Sequence, residues 1–395
     1  MENLFSRSVD PEIREALLNN DEASAAAVLQ QYLQEQENIP LNIAVTGDTG
    51  SGKSTFVNTI RGVGDDAEGA APTGVVETTK EVTPYPHPNF PNITLWDLPG
   101  IGTMKFPAAE YLKKVGFERF DFFIIVSADR FRENDVKLAK EIQRMEKKFY
   151  FVRSKIDNNI RDERRKRDFS EERTLKQIRD NCTQSLQDQG FRSSQVFLVS
   201  GFDPHLYDFP DLLRTLEREL PEHKRDAFML AMPNTSLEMI DRKKEAFQSK
   251  IKYVASLSAA VAGVPVPGIS VAVDAVLLVS VFTRYVFGFG LNISSLKRLS
   301  KRTNIPYEEL KKEIMSPLAA TEITTNLILR ILVQVASLPV LMAAEEVCRY
   351  IPILGIPLSM GFSFTFTYKA LNFFLNVLAE DAKRVFEKTG LNSRE

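Results

Sequence analysis

The amino-acid sequence predicts a doubly wound α/β domain together with a separate α-helical domain. Between about residues 41 and 220, short apolar segments alternate with helical segments, the pattern of a parallel sheet covered by helices. The first apolar segment leads directly into a glycine-rich turn and a helix, as in phosphate-binding α/β folds. After residue 222 apolar residues recur at helical spacing, which indicates a change of architecture.

The elements of the α/β domain follow in order along the chain. Apolar segments predict strands at 41–46, 93–97, 121–127, 148–153 and 195–201. Amphipathic or polar periodic segments predict helices at 55–60, 137–147 and 171–189. The charged run 161–168 is mixed in sign, which favours a solvated surface loop or helix end over a phospholipid or nucleic-acid patch.

Length and composition place the chain among globular multidomain proteins. Its 395 residues exceed one ordinary core, and we expect an N-terminal helical segment at 1–40, an α/β domain at 41–222 and a C-terminal helical domain at 223–395. Hydrophobic residues make up 44% and charged residues 26%, a globular balance. The net charge of −2 provides no basic field, so we expect no nucleic-acid partner.

Cysteine usage and the chain ends disfavour disulfide-rich, zinc-binding, secreted and lipid-anchored proteins. Cys182 and Cys348 are far apart and the three histidines lack metal-ligand spacing, which disfavours disulfide and zinc frameworks and favours a cytoplasmic location. Residues 1–5 do not resemble a secretory signal peptide. Glu2 stands where N-myristoylation requires glycine, and the C-terminus carries no prenylation cysteine, so we expect neither anchor.

The most specific motif lies at residues 47–54 and matches the phosphate-binding pattern G-x-x-x-x-G-K-S. Its residues are Gly47, Asp48, Thr49, Gly50, Ser51, Gly52, Lys53 and Ser54, and Thr55 continues into the helix. Glycines allow backbone N–H groups to surround an anion, and the helix N-terminus adds a favourable dipole. We expect Lys53 to contact the β- and γ-phosphates and Ser54 to ligate Mg²⁺.

Two further segments predict groups that sense a terminal phosphate. One strand ends at Asp97, whose carboxylate can hold Mg²⁺ through water, and Leu-Pro-Gly100 follows, where the Gly100 N–H can contact the γ-phosphate. The segment 74–79 has the sequence Gly-Val-Val-Glu-Thr-Thr, and a threonine hydroxyl there can bind Mg²⁺ when the γ-phosphate is present. Thr79 is the first candidate and Thr78 the alternative, while a plain β-rich loop is the competing interpretation.

A third segment predicts recognition of guanine. Ser154-Lys155-x-Asp157 follows a strand and is a variant of the Asn/Thr-Lys-x-Asp guanine motif. The Asp157 carboxylate can accept hydrogen bonds from guanine N1–H and N2–H₂, which adenine does not offer, and the Lys155 stem can lie along the base. Ser200 and Gly201 end the last strand, where a backbone N–H can meet guanine O6.

In this order and spacing the four motifs predict a Ras-like P-loop GTPase domain. Small Ras-type GTPases position the attacking water with a glutamine directly after Asp-x-x-Gly. Ile101 occupies that position here. We therefore expect slow hydrolysis by the isolated chain, with Glu77, another switch residue or a second molecule completing the site.

The remainder of the chain is helical. Residues 11–37 are helix-rich. Two stripes at helical spacing predict helix-bundle core; they are Ile240, Phe247, Ile251, Val254 and Val261, and Leu371, Phe374, Leu375, Leu378, Ala382, Val385 and Phe386.

Two uncharged stretches, 253–273 and 350–368, approach the ~20 residues that span a bilayer, but prolines interrupt both. A shared [V/I]-P-[V/I]-x-G-I pattern predicts two helical hairpins with apolar turns, at 264–269 and 351–356. The tip residues are Val264, Ile269, Ile351 and Ile356. The first hypothesis is that these tips enter one membrane leaflet. The alternatives are a closed bundle away from membranes and a spanning hairpin, against which Asp274 and Arg284 count.

On these motifs the chain resembles the vertebrate immunity-related GTPases, a family of interferon-inducible, dynamin-like large GTPases. The resemblance covers nearly the whole chain and rests on segments 47–54, 74–79, 95–102, 121–125, 148–153, 207–210, 219–225 and 380–383. Lys53 before Ser54 resembles the lysine-bearing, effector-type members, whereas regulator-type members have methionine at that position.

The resemblance implies a GTPase domain packed on a helical domain that both chain ends form. It implies GTP or GDP bound with Mg²⁺, with Ser54 and Thr79 as metal ligands and Asp157 recognising guanine. It further implies assembly through the GTPase faces, with itself or with other family members, and peripheral binding to intracellular membranes, at the endoplasmic reticulum or around pathogen vacuoles. In the family the residue matching Glu77 is assigned to activation across the dimer.

The chain departs from the family pattern at several positions. Ser154 replaces the usual threonine, and we expect guanine selectivity to survive because Lys155 and Asp157 are kept. The myristoylation glycine of some members is missing, which counts against lipid anchoring. The stretch 253–289 is more apolar than is typical of the family, which shifts the expected membrane attachment towards these helices.

Two interpretations of the function follow. The first is a self-assembling, GTP-hydrolysing effector of immunity. The alternative is a slow, nucleotide-switched binding module without a defence role. An ATPase conflicts with Asp157.

Overall fold

The computed structural model of the protein describes residues 40–74, 81–99, 108–129, 131–191, 195–262, 269–336 and 364–391. Contacts among them define two compact units that divide between Ser236 and Leu237, the first built on a β-sheet and the second on helices. The helix at 222–231 belongs to the sheet unit, although it lies beyond the change of sequence character at 222.

A six-stranded mixed sheet forms the centre of the first unit. Its strands are β1 (Leu41–Gly47), β2 (Thr83–His87), β3 (Phe90–Asp97), β4 (Phe122–Ser127), β5 (Lys148–Arg153) and β6 (Val196–Leu198). They are arranged in the order β2-β3-β1-β4-β5-β6, and every neighbouring pair is parallel except β2 and β3. Every residue of β4 is buried, as expected for a central strand covered on both faces. The prediction of a doubly wound α/β domain is thereby confirmed.

Strand β2 was not predicted from the sequence. It contains Pro84 and Pro86, and proline cannot donate to a β ladder. The strand lies at the edge of the sheet, where alternate residues need no partner on the outer side. The two prolines occupy alternate positions opposite Trp96 and Thr94 of β3. The edge position therefore accommodates a segment whose composition disfavours strands.

Seven α-helices and a short 3₁₀ helix at 117–119 accompany the sheet in the described residues. The helices are α1 (Lys53–Ile60), α2 (Ala108–Val115), α3 (Glu133–Arg144), α4 (Ile156–Glu163), α5 (Glu171–Asp188), α6 (Phe209–Glu219) and α7 (Glu222–Ala231). Helix α3 begins four residues before its predicted start, because the Asp135 carboxylate accepts a hydrogen bond from the Arg132 N–H at 3.0 Å and caps the first turn. The charged run 161–168 spans the end of α4 and the following exposed turn.

The second unit contains six helices in its described part. They are α8 (Leu237–Ala262), α9 (Ile269–Gly288), α10 (Ile293–Thr303), α11 (Tyr307–Lys312), α12 (Thr325–Ala336) and α13 (Phe364–Lys388). Helices α8 and α13 pack along each other, and the two predicted apolar stripes are buried throughout, except that the side chain of Val261 lies outside the described part. Aromatic rings complete the core, including Phe282 and Phe374 with centroids 5.1 Å apart.

One lysine lies inside this helical core. Lys243 of α8 is 1% exposed, and its ammonium donates to the Gly288 carbonyl at the end of α9 over 2.7 Å. Burial lowers the pKa of Lys243 to about 7. The contact satisfies a carbonyl that has no partner within its own helix, and it ties α8 to α9.

Parts of the predicted membrane hairpins lie outside the described residues. Val264, Ile351 and Ile356 fall there, as does the N-terminal segment 1–39. Ile269 is the first residue of α9. Across the helices that the structure describes, no apolar segment is long enough to cross a bilayer.

Candidate nucleotide-binding site

Most of the predicted site residues that the structure describes meet at the carboxyl edge of the parallel strands. Gly47 ends β1, Asp97 ends β3, and residues 154–157 follow β5. Lys53, Ser54 and Thr55 form the first turn of α1, and Ser200 and Gly201 follow β6. Residues 75–80 and Gly100 lie outside the described residues, so Glu77, Thr78, Thr79 and the Gly100 N–H stay predictions.

The backbone between β1 and α1 requires its glycines. A Cβ atom on Gly47 would lie 2.0 Å from the Val126 carbonyl oxygen, which no side chain tolerates. Gly52 has φ of 89° and immediately precedes α1, where its carbonyl accepts from the Phe56 N–H at 2.9 Å. The loop therefore turns closely against β4 and directs the start of α1 into the site, the arrangement that binds phosphate groups.

Lys53 is held over the loop from which it extends. Its side chain is 7% exposed, and its ammonium donates to the carbonyls of Gly47 at 3.2 Å and Asp48 at 2.8 Å. The position of this ammonium over the loop suits an anion, because a charged phosphate oxygen is a stronger acceptor than a carbonyl.

Ser54 and Asp97 contact each other across the site. The Ser54 hydroxyl donates to the Asp97 carboxylate over 2.7 Å, and both side chains are buried. This contact joins the first turn of α1 to the end of β3. A hydroxyl and a carboxylate are hard oxygen donors of the kind that Mg²⁺ prefers, so the pair fits the predicted metal site.

The segment after β5 is tied to the phosphate loop. The buried Ser154 hydroxyl donates to the Ser51 carbonyl over 2.6 Å, and the Lys155 ammonium donates to the Gly50 carbonyl over 2.8 Å. Lys155 adopts a left-handed backbone, with φ of 58°, at the start of α4. A non-glycine residue in this conformation is strained, and such strain is common at binding sites. The serine variant of the motif therefore keeps the hydroxyl that links the two loops.

The loop after β6 is anchored to the phosphate-binding helix. The Gly201 carbonyl accepts from the Thr59 hydroxyl of α1. A Cβ atom on Gly201 would lie 2.9 Å from the Thr55 methyl, so this loop packs closely on α1. Within the described residues the Gly201 N–H donates no hydrogen bond. This N–H fits the predicted contact with guanine O6.

Charges of both signs flank the phosphate loop. Arg132 and Asp48 form an ion pair over 3.0 Å. Asp135 is fully buried beside them, and burial raises its pKa to about 6, with the Asp48 carboxylate adding to the rise. A polar cleft of about 270 Å³ adjoins these groups; it is lined by Asp48, Thr49, Gly50, Ser51, Ser127, Ala128, Asp129, Arg132, Lys155, Asn158 and Asn159. Arg132 and Asp135 belong to none of the nucleotide-binding motifs, and their only sequence signal is the capping pattern at the start of α3.

Tyr111 is a third residue of the site that no sequence motif indicates. It is fully buried in α2, and its hydroxyl donates to the Pro99 carbonyl over 3.0 Å and lies 3.3 Å from the Thr46 hydroxyl. Burial raises its pKa above the ordinary range. The contact fixes Pro99, the residue directly before Gly100, against β1.

The fold and the site define the chain as a P-loop GTPase of the α/β class with an additional helical unit. The comparisons with known proteins then give its family: the chain belongs to the interferon-inducible GTPase (IIGP) family, whose model matches residues 6–389. The prediction that it is related to the immunity-related GTPases is confirmed, and the chain is a GTPase.

Curated relatives match over most of their length. Interferon-inducible GTPase 5 of Rattus norvegicus is 42% identical over 375 residues, covering 94% of this chain and 81% of the relative. Interferon-gamma-inducible GTPase 10 of Mus musculus is 36% identical over 387 residues, covering 98% and 90%. Interferon-inducible GTPase 1 of Mus musculus is 41% identical over 295 residues, covering 74% and 71%.

The link between the two loops generates a testable prediction. Replacing Ser154 with alanine removes the donor to Ser51 and leaves a buried carbonyl without it, which costs about 1–1.5 kcal/mol. We expect the GDP dissociation constant, measured by calorimetry, to rise roughly tenfold. Ser154→Thr is the matched control, because it retains the hydroxyl and should bind GDP as the wild type does. An unchanged affinity in Ser154→Ala would show that the link does not support nucleotide binding.

Proposed function

We propose that this protein binds GTP and GDP with Mg²⁺ and hydrolyses GTP when two copies meet through their nucleotide-binding faces. The observation that carries the proposal is the contact network at one sheet edge, which joins Lys53, Ser54 and Asp97 to the base-recognising residues 154–157. The names of the relatives, which describe interferon-inducible GTPases, support the nucleotide and the reaction.

The roles of the phosphate-site residues follow from their chemistry. Lys53 exchanges its carbonyl partners for the β- and γ-phosphate oxygens. The Ser54 hydroxyl and the Asp97 carboxylate would hold Mg²⁺, and Thr79 would add a third protein oxygen in the GTP state. Mg²⁺ supplies positive charge to the phosphate oxygens on which negative charge develops.

The base-site residues select guanine. Asp157 lies in the first turn of α4 and is partly exposed, so its carboxylate can accept the two guanine donors. The Gly201 N–H donates to guanine O6. An adenine base offers neither donor to Asp157 and would leave the carboxylate desolvated without a partner.

Water activation requires a group beyond the described residues. Ile101 stands where a glutamine would orient the attacking water, and its apolar side chain cannot do so. Glu77 is the proposed replacement, acting within one chain or across the dimer. If Glu77 acts across the dimer, a second copy completes the site and assembly controls the rate of hydrolysis.

The proposed place of action is the surface of intracellular membranes, at the endoplasmic reticulum or a pathogen vacuole, as part of immune defence. The apolar stretches 253–273 and 350–368 support this proposal, because the sequence of each predicts an apolar turn with prolines. The alternative function is a slow nucleotide-switched binding module without a defence role.

The catalytic proposal is tested by GTP turnover per molecule across a hundredfold range of protein concentration. We expect the specific rate to climb with concentration in the wild type and to stay low in Glu77→Ala. Glu81→Ala is the matched control, because Glu81 is an exposed acidic residue four positions away, and it should behave as the wild type does. A flat specific rate that Glu77→Ala does not change would contradict the proposal and favour the switch.

The membrane proposal is tested by flotation with vesicles of phosphatidylcholine and phosphatidylserine. A charge at the hairpin tips is costly in an apolar layer, so Ile269→Asp combined with Ile356→Asp should lower vesicle binding at least about tenfold and leave GDP affinity unchanged. Met315→Asp places the same charge on a residue that is 76% exposed and should have no effect. Vesicle binding that persists in the double variant would exclude the tips as the membrane contact.

A further inference from the structure

An aromatic side chain stands exposed beside the base-recognising residues. Phe202 directly follows Gly201 and is 61% exposed. Among the described residues the other exposed large apolar side chains are Ile293 and Met315, which both belong to the helical unit. Phe202 is therefore the one exposed large apolar side chain in the described part of the nucleotide-binding unit. Its exposure to water costs free energy.

The exposure of Phe202 does not come from a loose loop. The fully buried Ser200 hydroxyl accepts hydrogen bonds from the N–H groups of Phe202 at 3.2 Å and Asp203 at 3.3 Å. The next carbonyl back, that of Gly201, is held by Thr59. Both ends of the turn are thus fixed while the ring projects outward.

The turn lies next to Asp157. The Ile156 N–H donates to the Val199 carbonyl over 3.2 Å, so the two base-site loops run side by side. The Tyr207 phenol reports the same proximity, because burial and the nearby carboxylates of Glu171, Asp157 and Asp203 raise its pKa to about 12. Phe202 is adjacent in sequence to Asp203, and the carboxylates of Asp203 and Asp157 both lie near Tyr207.

The two ends of the loop that carries Phe202, at Leu198 and Asp208, are also fixed. Arg179 of α5 makes two hydrogen bonds to the Asp208 carboxylate, at 2.7 and 2.9 Å. The same carboxylate accepts from the Leu198 N–H at 2.7 Å, and the Asp208 N–H returns a hydrogen bond to the Leu198 carbonyl. These hydrogen bonds close the base of the loop between Leu198 and Asp208, and they restrict the position of its tip.

We propose that Phe202 is a base-stacking residue, whose ring covers one face of the bound guanine opposite the Lys155 stem. The inference rests on the guanine-nucleotide binding proposed above and adds a specificity-determining contact to that site. The Lys155 ammonium is held at Gly50, so its stem extends from the base loop towards the phosphate loop and offers an apolar surface. An aromatic ring gives a π-face to any base and a larger contact than an aliphatic chain. The base covers the exposed ring in the bound state.

The test measures dissociation constants of the 395-residue chain for GDP and IDP by calorimetry. Stacking does not depend on the edge of the base, so Phe202→Ala should weaken both nucleotides by the same factor, roughly tenfold. IDP lacks the guanine amino group, so the GDP-to-IDP ratio reports the Asp157 contact. That ratio should stay constant in Phe202→Ala and collapse in Asp157→Ala. Met315→Ala is the control for removing an exposed apolar side chain and should change neither constant.

A second variant gives a direct signal from the ring position. Phe202→Trp keeps an aromatic face and should bind GDP within about twofold of the wild type. Its fluorescence should fall when GDP binds, because the base stacks on the indole. Trp96 is the chain's single tryptophan, so the wild type supplies the background signal.

The outcomes distinguish a failure of the stacking role of Phe202 from a failure of the proposed guanine-nucleotide binding. A wild type that does not bind GDP would overturn the proposed function itself. A wild type that binds GDP, with Phe202→Ala unchanged and no fluorescence change in Phe202→Trp, would overturn the stacking assignment alone. Loss of concentration-dependent turnover in Phe202→Ala at unchanged GDP affinity would also overturn it, since the ring would then serve the contact between copies.

Discussion

Five parallel strands end at one edge of the sheet, and the whole candidate site depends on that constraint. Hydrogen bonding in parallel register brings the end of β1 beside the ends of β3 and β4, and β5 and β6 continue the same row. Ligands of open α/β sheets bind at this edge, because the loops there are free to vary while the strands fix their starting points. Groups separated by more than a hundred residues, such as Ser51 and Ser154, meet for this reason.

The loops at this edge support one another through hydrogen bonds. Ser154 and Lys155 hold carbonyls of the phosphate loop, Thr59 holds Gly201, and Ser54 holds Asp97. Each of these bonds fixes a backbone segment whose ordering would otherwise be a cost of binding. In the proposed complex, phosphate oxygens replace the carbonyl partners of Lys53.

The sequence allowed the parallel strands and the phosphate loop to be predicted, because both depend on local signals. Buried parallel strands are continuous apolar runs, and the phosphate loop has a fixed spacing of glycines. Strand β2 could not be predicted in this way, since Pro84 and Pro86 are tolerated only because the strand lies at the sheet edge. Long-range contacts such as Tyr111 with Pro99, or Arg132 with Asp48, have no local signature, because they arise only when the fold brings distant segments together. Phe202 had a weak local signal, an aromatic residue directly after Ser-Gly at a strand end, but its exposure became evident only in the structure.

A calorimetric titration of the 395-residue chain with GDP and with ADP, each in the presence of Mg²⁺, shows directly whether the converging loops bind a guanine nucleotide. A site that pairs a carboxylate with the guanine edge should discriminate strongly, so we expect GDP to bind roughly a hundredfold or more tighter than ADP. Equal affinities for the two nucleotides would contradict the base-recognition role of Asp157, and no binding of either would contradict the site as a whole.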